Sequence, residues 1–307
     1  MQKFISKFLD NLKVIYKNNN SLVSKFYIII EEIDKAIKNQ FLSIDISFFV
    51  YLFCTKHSNF FINTQNDALE FIRVFLEDLS NEFNKIKNKP PYHNLNLNEK
   101  INKSEKSDGY HAFYLKYENS LIVELFYSQI IYIYTCACNN IEYAFQKILD
   151  IPLLFPEKNS SYNIHDLLNY YFKLDYIDFE SICTKCKKIS KHKQEIKICR
   201  IPEIFIISLQ RIDYLSRTKN ESFVTFPYEL DISPYIDKEC LNNKEMNYIF
   251  YNSIGVINHK GFIDFGHYTS FMKNKNNLWY VYDDSKVEIL KENIINKDAY
   301  ILFYLKK

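Results

Sequence analysis

The chain has 307 residues, 47% of them hydrophobic and 25% charged, with a formal net charge of +2; such a chain is long and apolar enough to bury a sizeable core. The near-neutral charge excludes nucleic-acid binding driven by bulk electrostatics, and the most apolar run, residues 46–54, is far short of the roughly 20 residues that cross a bilayer. Phe (26) and Tyr (25) are abundant while Gly numbers only 4, so a glycine is more informative here than an Asn or a Lys.

In chain order, residues 1–86 read as helical. Phe8, Leu9, Leu12 and Ile15 share one helix face. Thr64 and Asp67 have the spacing of a capping box, and behind them Ala68, Ile72, Phe75, Leu76, Leu79 and Phe83 form an apolar stripe. Residues 87–109 turn polar after Pro90-Pro91 and end at Asp108-Gly109, which predicts a flexible insertion. The remainder, residues 110–307, changes period. Short β-branched and aromatic runs predict strands over 120–126, 130–135, 202–209, 247–257, 268–273, 279–282 and 300–304, with a helix over 164–172. Helices first and strands later indicate an α+β fold rather than alternating βαβ units.

The chemistry is concentrated near the C-terminus. Gly266-His267-Tyr268 opens one predicted strand, and Trp279-Tyr-Val-Tyr-Asp283-Asp284 forms the next, with a short connection near Asn276-Asn277. Adjacent antiparallel strands can place His267 beside Asp283. A thiol hydrolase needs an imidazole to take the thiol proton and later protonate the leaving amine, with a carboxylate holding the other ring nitrogen. Gly255, Gly261 and Gly266 fall within twelve residues just ahead of His267, at positions that need φ > 0 or a close backbone approach. Alone, Gly-His-Tyr also describes a surface or core histidine.

Its context decides between these readings. The stretch Ile254-Gly-Val-Ile-Asn-His259-Lys-Gly261, then Gly266-His267-Tyr268-Thr269, Trp279, Asp283-Asp284 and Ala299-Tyr-Ile-Leu-Phe-Tyr304 resembles the His box of ubiquitin-specific proteases. Pro202-Glu-Ile-Phe-Ile-Ile-Ser-Leu-Gln-Arg211 and Val224-Thr-Phe-Pro227-Tyr-Glu-Leu230 are similar to that family's palm strands, and Ile122-Val-Glu-Leu-Phe126 to its entry into the fingers. Gln65-Asn66-Asp67-Ala68-Leu69-Glu70-Phe71-Ile72 resembles its thumb helix. The resemblance implies a papain-like cysteine proteinase fold with a helical thumb (1–86), an insertion (87–109), and an antiparallel β palm with β fingers (110–307). It implies a deubiquitinase that hydrolyses the isopeptide bond at the ubiquitin C-terminus through a thioester. His267 is then the base, Asp283 its orienting partner and Asp284 a support for the oxyanion site. Gln65, Asp67, Gly266 and Tyr268 are then placed along the channel for the ubiquitin tail, and His259 is a loop residue. Asp67 also reads simply as a helix cap.

The family's nucleophile lies in a box of the form Asn-x-Gly-Asn-Thr-Cys, and none of the 307 residues matches it. Cys54, in Tyr51-Leu-Phe-Cys54-Thr-Lys, has apolar neighbours that suppress thiolate formation, so the nucleophile is absent from the chain. Two expectations stand: an N-terminally truncated enzyme, favoured by the intact His267/Asp283 pair, or an inactive pseudo-enzyme that binds ubiquitin as a scaffold. A ubiquitin-like modifier as substrate is a further alternative.

Seven cysteines, two of them in Cys183-Thr-Lys-Cys186, favour reduced thiols or metal over disulfides in a chain without an export signal, which places it in the cytoplasm or nucleus. Cys183 and Cys186 have the spacing of half a structural zinc site. The family carries a second pair in its fingers, and here Cys138 fits one ligand while Thr135 stands where the other belongs, so that Cys136 has to substitute with a one-residue shift. Structural zinc or a metal-free hairpin are both open; no catalytic cofactor is implied. Cys199 and Cys240 read as apolar fillers. The expected partners are ubiquitin or ubiquitinated proteins, without nucleic acid or membrane. A metal-dependent nucleic-acid module is a distant alternative, because the lysines over 185–197 read as a solvated face.

Overall fold

The computed structural model describes residues 21–39, 44–92, 95, 101–156, 160–173, 175–176, 180–241, 248–263 and 265–307; the helix face expected at Phe8, Leu9, Leu12 and Ile15 lies outside them. No helix among the described residues is long and apolar enough to cross a membrane. Two compact units are formed: one from the described residues up to Lys89 with Glu118–Glu124, the other from Pro90–Tyr117 with Leu125–Lys307.

The first unit is helical, with α1 (Leu22–Asn39), α2 (Ser47–Lys56) and α3 (Ala68–Glu82). Aromatic edges hold it together: Phe75 meets Phe26 at 4.9 Å and Phe49 at 5.6 Å between ring centroids, and Phe53 meets Phe71 at 4.9 Å. Such pairs add about 0.5–1.5 kcal/mol each beyond the area they bury. Asp78 of α3 is buried, and its carboxylate accepts from Lys56 Nζ at 2.7 Å and contacts His57 Nε2 at 2.6 Å, which compensates its desolvation. Of the predicted stripe, Phe75, Leu76, Leu79 and Phe83 are buried, joined by Leu69, while Ala68 and Ile72 are half-buried. The capping box expected from Thr64 is not formed. Asp67 itself is the N-cap, accepting from the Glu70 N–H at 2.9 Å, and Thr64 Oγ1 instead donates to the Phe61 carbonyl.

The second unit is mostly β. After α4 (Lys103–Leu115) and α5 (Leu121–Phe126), whose residues up to Glu124 belong to the first unit, come β1 (Ser128–Thr135), β2 (Ile141–Ile148), β3 (Asp150–Leu153), β4 (Ser161–Asn163) and α6 (Ile164–Tyr171). Then follow β5 (Asp175–Tyr176), β6 (Ser181–Ile182), β7 (Ile189–Ser190), β8 (Lys193–Arg200), β9 (Ile204–Leu209), β10 (Ile212–Asp213) and β11 (Thr218–Lys219). The chain closes with β12 (Phe223–Thr225), β13 (Glu229–Asp231), β14 (Phe250–Gly261), β15 (Gly266–Lys273), β16 (Trp279–Asp283), β17 (Lys286–Ile289) and β18 (Ala299–Lys306).

Two sheets result. The larger has the order β17-β16-β15-β14-β18-β9-β3, with β13 paired to β14; the smaller has the order β2-β1-β8-β5. All six residues of β9 are buried, which is why Ile204-Phe-Ile-Ile-Ser-Leu209 reads as an unbroken apolar run rather than an alternating one. The edge strand β17 is exposed throughout. Tyr251 and Tyr304 are fully buried in the core beside Leu167 and Leu168 of α6, and their hydroxyls donate to the carbonyls of Pro202 and Pro227.

Two expectations fail here. Residues 120–126 are not a strand: Leu121–Phe126 is helical, with the Ser120 hydroxyl accepting from the Val123 N–H at 3.2 Å and Leu121, Ile122, Val123 and Leu125 all buried. So short an apolar run is too brief to show a helical or a strand period. Residues 103–109 are not a flexible insertion but the start of α4, opened by a capping box between Asn102 and Glu105. Lys103 Nζ reaches Asp237 at 2.8 Å and Gln129 Nε2 donates to Ser107 Oγ at 3.0 Å, so long-range anchors hold as a helix a segment whose Asp108-Gly109 signals a turn.

Candidate active site and cysteine cluster

The hairpin β14–β15 carries His267. Its register pairs Gly261 with Gly266, Lys260 with His267 and His259 with Tyr268. The next strand, β16, pairs with β15 only from Ser270 to Lys273, so Asp283 at the end of β16 faces His267 through side chains rather than through a ladder. His267 Nε2 and Asp283 Oδ1 are 2.6 Å apart. The connection from β15 to β16 is short as expected, with Asn277 at φ 63°. Because Nε2 belongs to the carboxylate, Nδ1 is the ring nitrogen left to accept a proton from a nucleophile. Both side chains are about half exposed (49% and 46%). Asp284 follows in the tight turn between β16 and β17 at φ 49°, and its carboxylate lies within 4.8 Å of the ligand atoms of the other two.

The glycines are explained by what surrounds them. At Gly266 an added Cβ would sit 1.9 Å from His259 Nε2, so the imidazole of His259 occupies the space a side chain would need. Gly261 has φ +94°, which only glycine adopts without strain. His259 is therefore not a loop residue. It belongs to β14, is 2% exposed, and stacks on Tyr268 with ring centroids 4.6 Å apart. Its ring thus flanks both chain neighbours of His267.

Gln65 is exposed and Asp67 half-buried at the N-terminus of α3 in the helical unit, where Asp67 performs the capping described above. Cys54 lies within α2. Cys199 and Cys240 are buried together with Ile131, as expected of apolar fillers.

The remaining four cysteines converge. Cys136 Sγ lies 3.8 Å from Cys186 Sγ and Cys138 Sγ lies 3.7 Å from Cys183 Sγ, and all four sulfurs fall within 4.8 Å of one another. A tetrahedral Zn²⁺ with bonds of about 2.3 Å has sulfur–sulfur edges of about 3.8 Å, so the donor set fits zinc in ligand type, number and spacing. The one-residue shift is absorbed by the turns. In the second knuckle the Lys187 N–H returns to the Cys183 carbonyl across four residues, and in the first the Asn139 N–H returns to the Cys136 carbonyl across three. The residue after each second cysteine, Asn139 or Lys187, has φ 61°. The tighter turn lets Cys-x-Cys do what Cys-x-x-Cys does. The N–H of Cys186, with that of Lys185, pulls the Cys183 thiol down to about 6. Although the Asn140 N–H lowers the Cys138 thiol, desolvation and the neighbouring thiols push it up to about 11. A bound cation would relieve that crowding.

A papain-like arrangement of sheets with an imidazole–carboxylate pair on adjacent strands defines a thiol-hydrolase scaffold. A sequence profile of ubiquitin carboxyl-terminal hydrolases matches residues 2–304; the chain belongs to that family, in its ubiquitin-specific protease branch of cysteine-type deubiquitinases. Among curated relatives it is 29% identical over 249 residues to ubiquitin carboxyl-terminal hydrolase 2 of Gallus gallus, covering 78% of this chain and 68% of that one. It is also 29% identical over 262 residues to Usp2 of Drosophila melanogaster, covering 82% and 27%. Among solved structures, the deubiquitinase module of SAGA with Ubp8 bound to ubiquitin aldehyde is similar with a TM-score of 0.66 at 22% identity, covering 85% of this chain and 54% of that one. The Ubp8–Sgf11–Sgf73–Sus1 module gives 0.67 at 21%, covering 100% and 61%. At these identities the structures speak for the fold, and the chain spans roughly half to two thirds of those it matches there.

Proposed function

We infer that this chain is the His/Asp-bearing part of a ubiquitin-specific deubiquitinase whose nucleophilic thiol comes from residues N-terminal to Met1. The observation that carries this reading is the 2.6 Å contact between His267 Nε2 and Asp283: an imidazole held this way can act as the base for a nucleophile, and the family match supports a thiol as that nucleophile. In the reaction, His267 Nδ1 takes the thiol proton, and the thiolate adds to the carbonyl carbon of ubiquitin's terminal glycine. The C–N bond then breaks, and His267 returns the proton to the leaving lysine amine. Water, deprotonated by the same imidazole, hydrolyses the thioester and regenerates the thiol. Asp283 keeps the proton-accepting tautomer at Nδ1 and stabilises the imidazolium. Asp284 would act at the oxyanion by orienting a donor. Gly266 and Tyr268 on the β unit, and Gln65 and Asp67 on the helical unit, are each proposed to contact the ubiquitin tail.

Cys136, Cys138, Cys183 and Cys186 would hold a structural zinc, which crosslinks β6–β7 to the β1–β2 turn and takes no part in the chemistry. Seven cysteines outside any disulfide support a reducing compartment, the cytoplasm or nucleus. A second reading, an inactive ubiquitin-binding scaffold, is favoured by the absence of any Asn-x-Gly-Asn-Thr-Cys segment from the sequence.

Ubiquitin carrying a thiol-reactive group at its C-terminus separates the two. On the enzyme reading, the complete gene product forms a covalent adduct, while the 307-residue chain binds ubiquitin without adduct. A complete gene product that binds ubiquitin and forms no adduct establishes the scaffold.

A further inference from the structure

The catalytic hairpin overhangs its sheet. On its outer side, β14 pairs with β18 only as far as Asn258 and Ala299, and the His259 N–H makes the last bond across that edge, to the Asp298 carbonyl at 2.8 Å. On the other side, β16 reaches β15 no nearer to His267 than Ser270. The carbonyls of His259 and Gly261, two residues apart on an extended strand, point to the same edge past the end of β18, where among the described residues no strand pairs with them. Lys219 meets them. Its ammonium donates to the His259 carbonyl at 2.7 Å and to the Gly261 carbonyl at 2.8 Å.

Lys219 is itself anchored. It ends β11, next to Asn220, whose N–H donates to the Arg211 carbonyl at 2.7 Å. The Arg211 side chain, 2% exposed, donates to the carbonyls of Asn220 at 3.0 Å, Ser222 at 2.8 Å and Ala299 at 2.7 Å. A buried guanidinium therefore ties the start of β18 to the segment bearing Lys219, and Lys219 extends that connection along the free edge of β14. Opposite its two acceptors across the β14–β15 ladder stand Tyr268 and Gly266, the neighbours of His267.

We propose that Lys219 is a positioning residue for His267: its ammonium replaces the missing strand along the overhang and holds the β14–β15 hairpin where the imidazole meets Asp283. Lys219 stands two sequence steps outside the Tyr214–Arg217 turn and touches no reacting atom, so its effect passes through the backbone. The inference rests on the deubiquitinase reading for its kinetic consequence but not for its structural one.

Two variants test it. Lys219→Met keeps the length and loses the donors; Lys219→Arg keeps donors. In the 307-residue chain, amide hydrogen exchange at 259–268 accelerates in Lys219→Met by about tenfold or more, the core strands β9 and β18 exchange as before, and Lys219→Arg behaves like the unsubstituted protein. In the complete gene product, Lys219→Met lowers kcat on a ubiquitin C-terminal amide by about 10- to 100-fold with KM within about twofold, and Lys219→Arg restores most of it. Unchanged exchange at 259–268, exchange that rises equally throughout the sheet, or an intact kcat overturns the proposal. If the unsubstituted gene product turns over no ubiquitin amide, the deubiquitinase reading fails, and the exchange result alone decides for or against Lys219.

Discussion

His267 depends on neighbours that do no chemistry. The space beside its Cα is bounded by Gly266, where His259 Nε2 stands 1.9 Å from any added Cβ, and by Tyr268, on which the same ring stacks. Gly266→Ala must displace a buried imidazole, an overpacking cost of about 1–3 kcal/mol. The displaced ring moves the two residues that set the direction of His267. Turnover of a ubiquitin amide is therefore expected to fall by more than the lowered stability accounts for, and assay at a temperature where both proteins are fully folded separates the two effects. Equal turnover of variant and parent under those conditions removes His259 from the support of the site.

At this scale the sequence was unevenly legible. His267, Asp283 and the glycines could be read because Gly is rare in the chain and each glycine answers a local requirement. The role of His259 was missed, because His-Lys-Gly ahead of a Gly-His pair looks like a loop until the strand register is known. Lys219 gave no signal: lysine is common in this chain, and the need for a cation there arises only from where β18 begins, eighty residues later in the sequence.

Elements show the same division. Strand runs with a buried face or two buried faces, such as β9 and β14, were found because burial imposes a pattern. α5 was misread because a short, mainly apolar run, with Leu121, Ile122, Val123 and Leu125 buried, fits strand and helix alike. α4 was misread because its stability comes from the Lys103–Asp237 and Gln129–Ser107 contacts, which no local pattern encodes. α3 was read correctly as a helix, with its cap displaced by three residues. Asp67→Ala is expected to destabilise the chain by about 1 kcal/mol, measured by chemical denaturation; no change would mean that water replaces the carboxylate at the Glu70 N–H without loss.

The two cysteine knuckles belong to this scale as well. The sequence left open whether Cys136 could stand in for the ligand missing at Thr135, and the 3.7 and 3.8 Å sulfur contacts bring its thiol into the cluster through turn geometry. Elemental analysis of the purified chain is expected to give one zinc per molecule, and Cys183→Ser less than half of that, with a lower melting temperature. A stoichiometry near zero in protein purified without chelator would show that the four thiols pack without metal.

Over the whole molecule, a buried β core carries an exposed dyad on its overhanging hairpin, and a separate helical unit bears Gln65 and Asp67. Tyr251 and Tyr304 hold the large sheet at the ends of β14 and β18 remote from His267, so a substitution of His267 itself is expected to leave the fold intact. That separation makes the account directly testable. The decisive measurement is the rate at which the complete gene product releases a fluorophore from the ubiquitin C-terminus, compared with its His267→Ala variant. The account predicts turnover by the parent and a loss of about 10²–10⁴-fold in the variant, with ubiquitin affinity unchanged. A variant that turns over as fast as its parent would contradict it.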